Sequence, residues 1–232
     1  IPGGETGFGD SHGVFLSGTA IATTAGGAID IRGLADGVFD NFASGVRIVA
    51  STVTTSGAPG SITISGESST RSPGLVIGGS TLIGGPDTSG DITLRAAANE
   101  LADSIVLGGE VASSGVLSIR PGGVSVSGAL TEDTFTGIEI GAARGSAAVG
   151  LQLDTVDLAA LNDGFAAIVF GGSTHIGAIT IAGAASFSDN VTLQNGAAGS
   201  GGIAIDHALS APGGLITLSS GETRTFLEDG DT

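Results

Sequence analysis

The chain has no cysteine, methionine, tryptophan, tyrosine or lysine, and only six prolines and nine phenylalanines. Without cysteine there are no disulfides and no thiolate metal sites, and the redox compartment stays undecided. Without lysine there is no P-loop. All seven basic residues are arginines, scattered singly, against 23 acidic residues and a net charge of −16. Nucleic acid and anionic membrane need concentrated cations to displace counterions, so neither is expected as a partner. No apolar run approaches the roughly 18 residues of a spanning helix, so no membrane insertion is expected. A charged start followed by an apolar stretch is also lacking, so a signal peptide is absent or already removed. The opening Ile1-Pro2-Gly3-Gly4 reads as a processed product or a piece of a longer chain.

What is abundant is glycine, 43 of 232 residues. Glycine at every third position, as in collagen, is not found, and a mean hydropathy of +0.42 is too apolar for a disordered polyanion. The glycines punctuate short alternating segments: GAIDIRG, GVRIVAS, GSITISG, GDITLRA, GVLSIRP, GAITIAG, NVTLQNG, GGLITLSSG. Apolar residues at i and i+2, with Ser, Thr, Asp or Arg between them, have the period of a half-buried strand. Strands this short, with glycine at the corners, suit a coil rather than a broad sheet.

Self-similarity decides the architecture. DNFASGVRIVA, STRSPGLVIGG, NELADSIVLGG, EDTFTGIEIGA and NDGFAAIVFGG begin at Asp40, Ser69, Asn99, Glu132 and Asn162, spaced 29, 30, 33 and 30 residues apart. Their apolar pairs Val46/Ile48, Leu75/Ile77, Ile105/Leu107, Ile138/Ile140 and Ile168/Phe170 fall in register, and Phe42, Phe135 and Phe165 recur upstream. A second pair follows each block: Ile62/Ile64, Ile92/Leu94, Leu117/Ile119, Leu151/Leu153 and Ile179/Ile181. Such a period predicts stacked units that contact only their neighbours. The expected fold is all-β, a parallel β-helix or three-sided β-solenoid of about eight coils, some 40 Å long at about 4.8 Å per coil. Interleaved Thr and Ser would form hydroxyl rows facing water. TVDLAALNDGF (155–165), capped by Thr155 or Asp157 and ended by Gly164, and AAANELADS (96–104) read as short helical corners.

Candidate chemistry is thin. Asp154/Asp157, Asp87/Asp91 and Asp229/Asp231 are close in sequence, but a glycosidase needs two carboxylates across a cleft, and capping already accounts for the first pair. His12, His175 and His207 lack a second ligand at metal spacing, although stacking could bring the latter two together. No calcium-binding nonapeptide series or EF-hand loop occurs, so no cofactor is expected and any calcium would be adventitious. Asn190-Val191-Thr192 matches a glycosylation sequon but lies in a strand segment. No catalytic, cofactor-binding or metal residue is assigned, and an enzyme is not expected.

The stretch NDGFAAIVFGG followed by residues 177–221 resembles the β-strand repeats in passenger regions of large bacterial exoproteins, the filamentous-haemagglutinin-like and two-partner secretion adhesins. The likeness is clearest over residues 151–221. It implies a right-handed parallel β-helix, an extracellular or cell-surface location, and service as a stalk, fibre or adhesive surface. Neither a secretion domain nor an outer-membrane barrel is recognisable, and no catalytic residue carries over. The domain organisation expected is a capping or docking segment at 1–15, solenoid repeats at 16–221 and an acidic capping or docking tail at 222–232. Phe8, Phe15, Phe226 and Leu227 are the candidate assembly contacts. The partners expected are the chain itself, assembling head to tail, or neighbouring domains of a larger chain. Glycans and cell-surface molecules are the other candidates, and a polysaccharide-binding or polysaccharide-degrading β-helix is the alternative.

Overall fold

A computed structural model describes residues 12–35, 43–57, 60–69, 72–98, 104–125, 127–131, 137–143, 150–196 and 201–221. They begin with four three-strand units: β1 (Val14–Ser17), β2 (Ala20–Thr23), β3 (Ile29–Ala35); β4 (Val46–Val49), β5 (Thr52–Thr55), β6 (Ile62–Ser68); β7 (Leu75–Ile77), β8 (Leu82–Gly84), β9 (Ile92–Ala98); and β10 (Ile105–Leu107), β11 (Glu110–Ala112), β12 (Val116–Pro121). Every unit gives one strand to each of three sheets, β1-β4-β7-β10, β2-β5-β8-β11 and β3-β6-β9-β12. All the pairings in these sheets are parallel and join consecutive units, which fits a β-helix.

Further on come β13 (Gly123–Val124), β14 (Leu130–Thr131), β15 (Ile138–Ile140), β16 (Leu151–Leu153) and a helix α1 (Thr155–Ala159). They are followed by β17 (Ala167–Gly171), β18 (Ile179–Ile181), β19 (Ala185–Ser186), β20 (Val191–Asn195), β21 (Ile203–Ile205), β22 (Leu209–Ser210) and β23 (Ile216–Ser220). The third sheet continues through β17, β20 and β23 to seven strands. Another sheet runs β16-β15-β18-β21, and β16 lies against β10, with the Ser104 amide donating to Gly150 O at 2.9 Å.

The alternation explains the core. Ile62 and Ile64 sit in register with Ile29 and Ile31 on one side and with Ile92 and Leu94 on the other. Val46/Ile48, Leu75/Ile77 and Ile105/Leu107 form the equivalent columns of the first sheet, and Val53, Ile83 and Val111 that of the second. All three sets belong to one apolar cluster, and most of its members are completely buried. Because a strand can hold its place only by pairing with the next unit, each unit's burial depends on its neighbours.

One corner shows why glycine recurs. Gly27, Gly60, Gly90 and Gly115 each stand two residues ahead of the inward column of the third sheet. A Cβ on Gly60 would lie within 2.4 Å of Gly27 O, and one on Gly90 within 1.8 Å of Gly60 O. The neighbouring unit's carbonyl occupies the space a side chain would need. Beside this ladder runs a second one of hydroxyls. Thr55 Oγ1 donates to Gly60 O at 3.1 Å, Thr88 Oγ1 to Thr55 O at 2.9 Å, and Ser113 Oγ to Thr88 O at 3.0 Å. These three are buried at corners, unlike the interleaved Thr63, Thr93 and Thr192 of the third sheet, which are partly exposed; they donate to corner carbonyls, of which Thr88 O also accepts from the Ser114 amide at 3.0 Å.

Two sequence alignments shift. Ile168/Phe170 lie in the third sheet, paired with Leu117/Ile119 and Val191/Leu193, whereas the other four block pairs belong to β4, β7, β10 and β15. Leu151/Leu153 and Ile179/Ile181 flank β15 in its sheet, not the third one. The cause is β15, an extra strand that enters the stack between β16 and β18 out of chain order. Ala96–Ala98, expected in a helical corner, instead extend β9; residues 99–103 lie outside the described residues, as do Phe42 and Phe135. Phe165 is buried in the core. β1 starts at Val14, inside the segment expected to cap the stack.

The columns predict position-specific costs. Ile179 is fully buried and Ser186 is exposed. Ile179→Asp is therefore expected to lower the melting temperature steeply, burial of a carboxylate costing several kcal/mol, while Ser186→Asp changes it little. Circular dichroism melts of both variants check this. The glycine ladder gives a second pair: Gly90→Ala forces the units apart, whereas a Cβ on Gly79 meets nothing closer than 3.8 Å. Gly79→Ala is expected to leave the melting temperature unchanged or slightly raised, by reducing unfolded-chain entropy, and Gly90→Ala to lower it clearly.

Candidate functional site

The acidic pair is the strongest sequence candidate, and the structure places both members at the start of α1. Asp154, in extended conformation, is the N-cap: its Oδ1 accepts from the Val156 amide at 2.8 Å and the Asp157 amide at 2.9 Å. Asp157 closes the capping box through Oδ2, which accepts from the Asp154 amide at 2.9 Å. Its other oxygen, Oδ1, accepts from the Leu107 amide of β10 at 2.6 Å. Asp157 is 1% exposed. The expected capped corner is thus correct in kind, but the cap is Asp154 and not Thr155 or Asp157. The helix ends at Ala159, well before Gly164, and the chain returns to the second sheet through a bridge between Leu161 and Val111.

Chemically, this arrangement spends the carboxylates on backbone amides. Asp157 is buried by these bonds, while Asp154 stays partly exposed. The same use recurs elsewhere. Asp91 Oδ1 accepts from the Val116 amide at 2.9 Å, and Glu67 Oε2 from the Val124 amide at 2.9 Å. Asp189 accepts from the amides of Gly164 and Phe165 at 3.1 Å. The sequence reading missed these clamps. Asp91 carries a local signal, an acidic residue just before the inward pair Ile92/Leu94, whereas Glu67 is followed by Ser68 and Ser69 and carries none.

Asn190, the sequon residue, acts similarly: its Nδ2 donates to Ala166 O at 3.0 Å and its Oδ1 accepts from the Leu215 amide at 2.8 Å, joining three successive strands' approaches. His12 Nδ1 accepts from the Ser44 amide at 3.0 Å, His175 is buried and His207 exposed. Among the described residues no three His, Asp or Glu side chains gather as a metal site, and no helix is long and apolar enough to cross a membrane.

Phe15 is 55% exposed, on the outer side of β1 beside Arg47, with its ring centroid 5.3 Å from that of His12. It therefore points sideways from the stack. Phe8, Phe226 and Leu227 lie outside the described residues, as do Asp229 and Asp231. Two outer features remain. One is a groove of about 530 Å³ beside α1, lined by Leu82, Gly109, Glu110, Val156, Ala159 and Asn162. The other is the outer side of the third sheet, where Thr63, Thr93, Ser118, Thr192 and Thr217 share one register column with Asp30 and Val169.

No protein-family model, curated protein or solved structure matches the chain.

In the neighbouring outer column stand Arg32, Ser65, Arg95 and Arg120. There β13 and β14 pair antiparallel, and β13 lies against β3, β6 and β9. Glu67 holds the Val124 amide, and Arg32 Nη1 donates to Gly128 O at 3.1 Å. The hairpin covers this column, which is why Ser65 and Arg95 are buried although they alternate outward. Arg32 also forms an ion pair with Asp30, and that hydrogen bond holds the guanidinium above its ordinary pKa.

Asp157 links α1 to β10, so its loss should register as instability. Asp157→Ala is expected to cost about 1–3 kcal/mol by orphaning buried amides, and Asp154→Ala about 1 kcal/mol as a lost N-cap. Urea unfolding followed by circular dichroism measures both.

Proposed function

We infer that the chain is a structural and interaction segment, a right-handed three-sided β-solenoid belonging to a secreted or surface-exposed bacterial adhesin, sheath or filament. The observation that carries this reading is the continuity of the apolar columns: the third sheet stacks seven strands in one register over a single core. On this reading the solenoid has seven coils, one fewer than the repeat count suggests, because β15 adds a strand to one face without adding a coil. At about 4.8 Å per coil the stack is about 34 Å long, a short stiff element suited to hold surfaces apart. The carboxylates near α1 and the third sheet serve backbone amides, which supports a structural reading over a catalytic one.

Glycan binding is the second reading, favoured by the hydroxyl column of the third sheet. Thr63, Thr93 and Ser118 on one side of Val169, and Thr192 and Thr217 on the other, repeat a hydroxyl along one register column, which suits an extended polyhydroxylated chain. It lacks the aromatic platform on which sugar rings usually stack, since Trp and Tyr are absent from the chain.

Incubation with a panel of acidic and neutral polysaccharides, with and without calcium, separates these readings. The structural reading expects no released product and no retardation in affinity electrophoresis. Retardation weakened by Thr93→Val and Thr192→Val would favour the glycan reading, and product release would replace both with an enzyme.

A further inference from the structure

Phe165, Phe170 and Phe187 are buried, and Phe15 is the one exposed ring among the described phenylalanines. Its neighbours in β1, Val14 and Leu16, pack against the core, which turns Phe15 outward. The ring is held rather than loose. Its centroid lies 5.3 Å from that of His12, with the two planes 37° apart, and His12 Nδ1 accepts from the Ser44 amide at 3.0 Å. The Gly13 and Val14 amides donate to Ser44 O and Gly45 O at 3.1 and 2.8 Å, so the approach to β1 is tied along its length to the approach to β4.

Arg47 of β4 stands in register with Phe15, on the same outer side and one strand spacing of about 4.8 Å away. Among the described arginines, Arg32 is paired with Asp30, and Arg95 and Arg120 also have partners; the Arg47 guanidinium alone makes neither a hydrogen bond nor an ion pair. In a chain of 23 acidic and seven basic residues, a cation without a carboxylate is the exception. Ser17, two residues beyond Phe15 on the same side of β1 and about 7 Å along it, is exposed, and its hydroxyl has no partner in the protein. The patch is bounded by Val76, the next residue of the column and buried, and by the free edge of β1.

We propose that Phe15, Arg47 and Ser17 bind a sugar acid, a uronate-type residue of an acidic glycan. Its apolar CH face lies on the Phe15 ring, its carboxylate meets the Arg47 guanidinium, and a ring hydroxyl meets Ser17. The proposal rests on the glycan reading above, but places the contact on the first sheet and supplies the aromatic platform that the hydroxyl column lacks. The chemistry selects this class. A planar guanidinium matches the two oxygens of a carboxylate, and a ring face beside it matches a ligand whose apolar face and charge lie within one sugar's width. Nucleic acid also carries flat rings and anions, but its backbone takes several clustered cations, and here there is one. Because His12 and the β1–β4 pairing already hold the ring in place, little ordering cost falls on binding.

The test titrates the full chain with a trimer of galacturonic acid and, as the neutral counterpart, with its methyl ester. Calorimetry reads affinity and aromatic proton resonances read contact; with nine phenylalanines and no Trp or Tyr, the Phe15 signals are assigned by comparison with Phe15→Leu. The acid is expected to shift the Phe15 resonances saturably, and the ester to bind about tenfold more weakly, the worth of one charge-assisted hydrogen bond. Arg47→Gln should impose the same loss on the acid and leave the ester unchanged, while Phe15→Leu weakens both. Both residues face outward, so the circular dichroism spectra of the variants should match the parent. Equal binding of acid and ester, or acid binding that neither variant weakens, overturns the proposal. If Thr93→Val and Thr192→Val weaken it instead, the hydroxyl column is the site and the glycan reading stands. Triglutamate bound as tightly as the trimer overturns the sugar as ligand in favour of an acidic peptide. No saccharide bound at all overturns the glycan reading and the proposal with it.

Discussion

Everything in this fold follows from hydrogen bonds that no strand can make within its own unit. The Ile29 amide donates to Ser61 O at 2.8 Å, and the Ile62 amide to Asp91 O at 2.9 Å, each partner some thirty residues downstream. Parallel pairing sets one spacing of about 4.8 Å for every atom of the unit, side chains included. An inward side chain must therefore sit on its counterpart above and below, which favours aliphatic residues of similar size. Where the chain turns a corner the same spacing drives a carbonyl of one unit into the Cβ position of the next, and only glycine fits. The narrow alphabet of the sequence is the consequence of that one distance.

This explains how much could be read from residues alone. Pairs such as Ile62/Ile64 and Ile92/Leu94 announce strands, and their spacing announces stacking. They do not announce a sheet, because an i, i+2 aliphatic pair looks the same on each face. The block 132–142 carries β15, a strand of the sheet that lies against β10 of the first sheet through β16, but another strand of β15's own sheet, β16, follows it directly. From there the alignment slips by one face, and Ile168/Phe170 are misassigned. Hydroxyls show a similar ambiguity. Thr63 lies on the outer side of a sheet and Thr55 is buried in a corner, and the letter is identical.

The irregular part of the chain is confined by the third sheet. β12 pairs directly with β17, so residues 122–166, with the hairpin, the extra strand and the helix, leave and return without interrupting that ladder. The first two faces absorb the disturbance: β15 enters one, and in the other α1 is followed by a single bridge at Leu161. The hairpin reaches back over β9, β6 and β3, so that an insertion in a later unit fastens the outer surface of earlier ones. A stack whose units touch only their neighbours gains from such a strap, because it couples units that otherwise share no contact.

The acidic side chains complete this picture. Sequence showed their number and, for Asp154 and Asp157, their capping habit; it could not show that Asp157 reaches an amide fifty residues upstream in Leu107. That amide closes β10, the last strand of the first sheet, and lies beside the start of α1. Asp189 meets the Gly164 and Phe165 amides just before β17, and Glu67 meets Val124 where the hairpin crosses the sheet. In each case a carboxylate oxygen accepts a backbone amide at an irregular joint, and such a charge-assisted bond is stronger than a neutral one. Carboxylates positioned in this way make irregular joints tolerable in a repetitive stack. At Asp157 the same positioning also buries the carboxylate between α1 and β10, so that its two oxygens hold the helix start to the neighbouring unit.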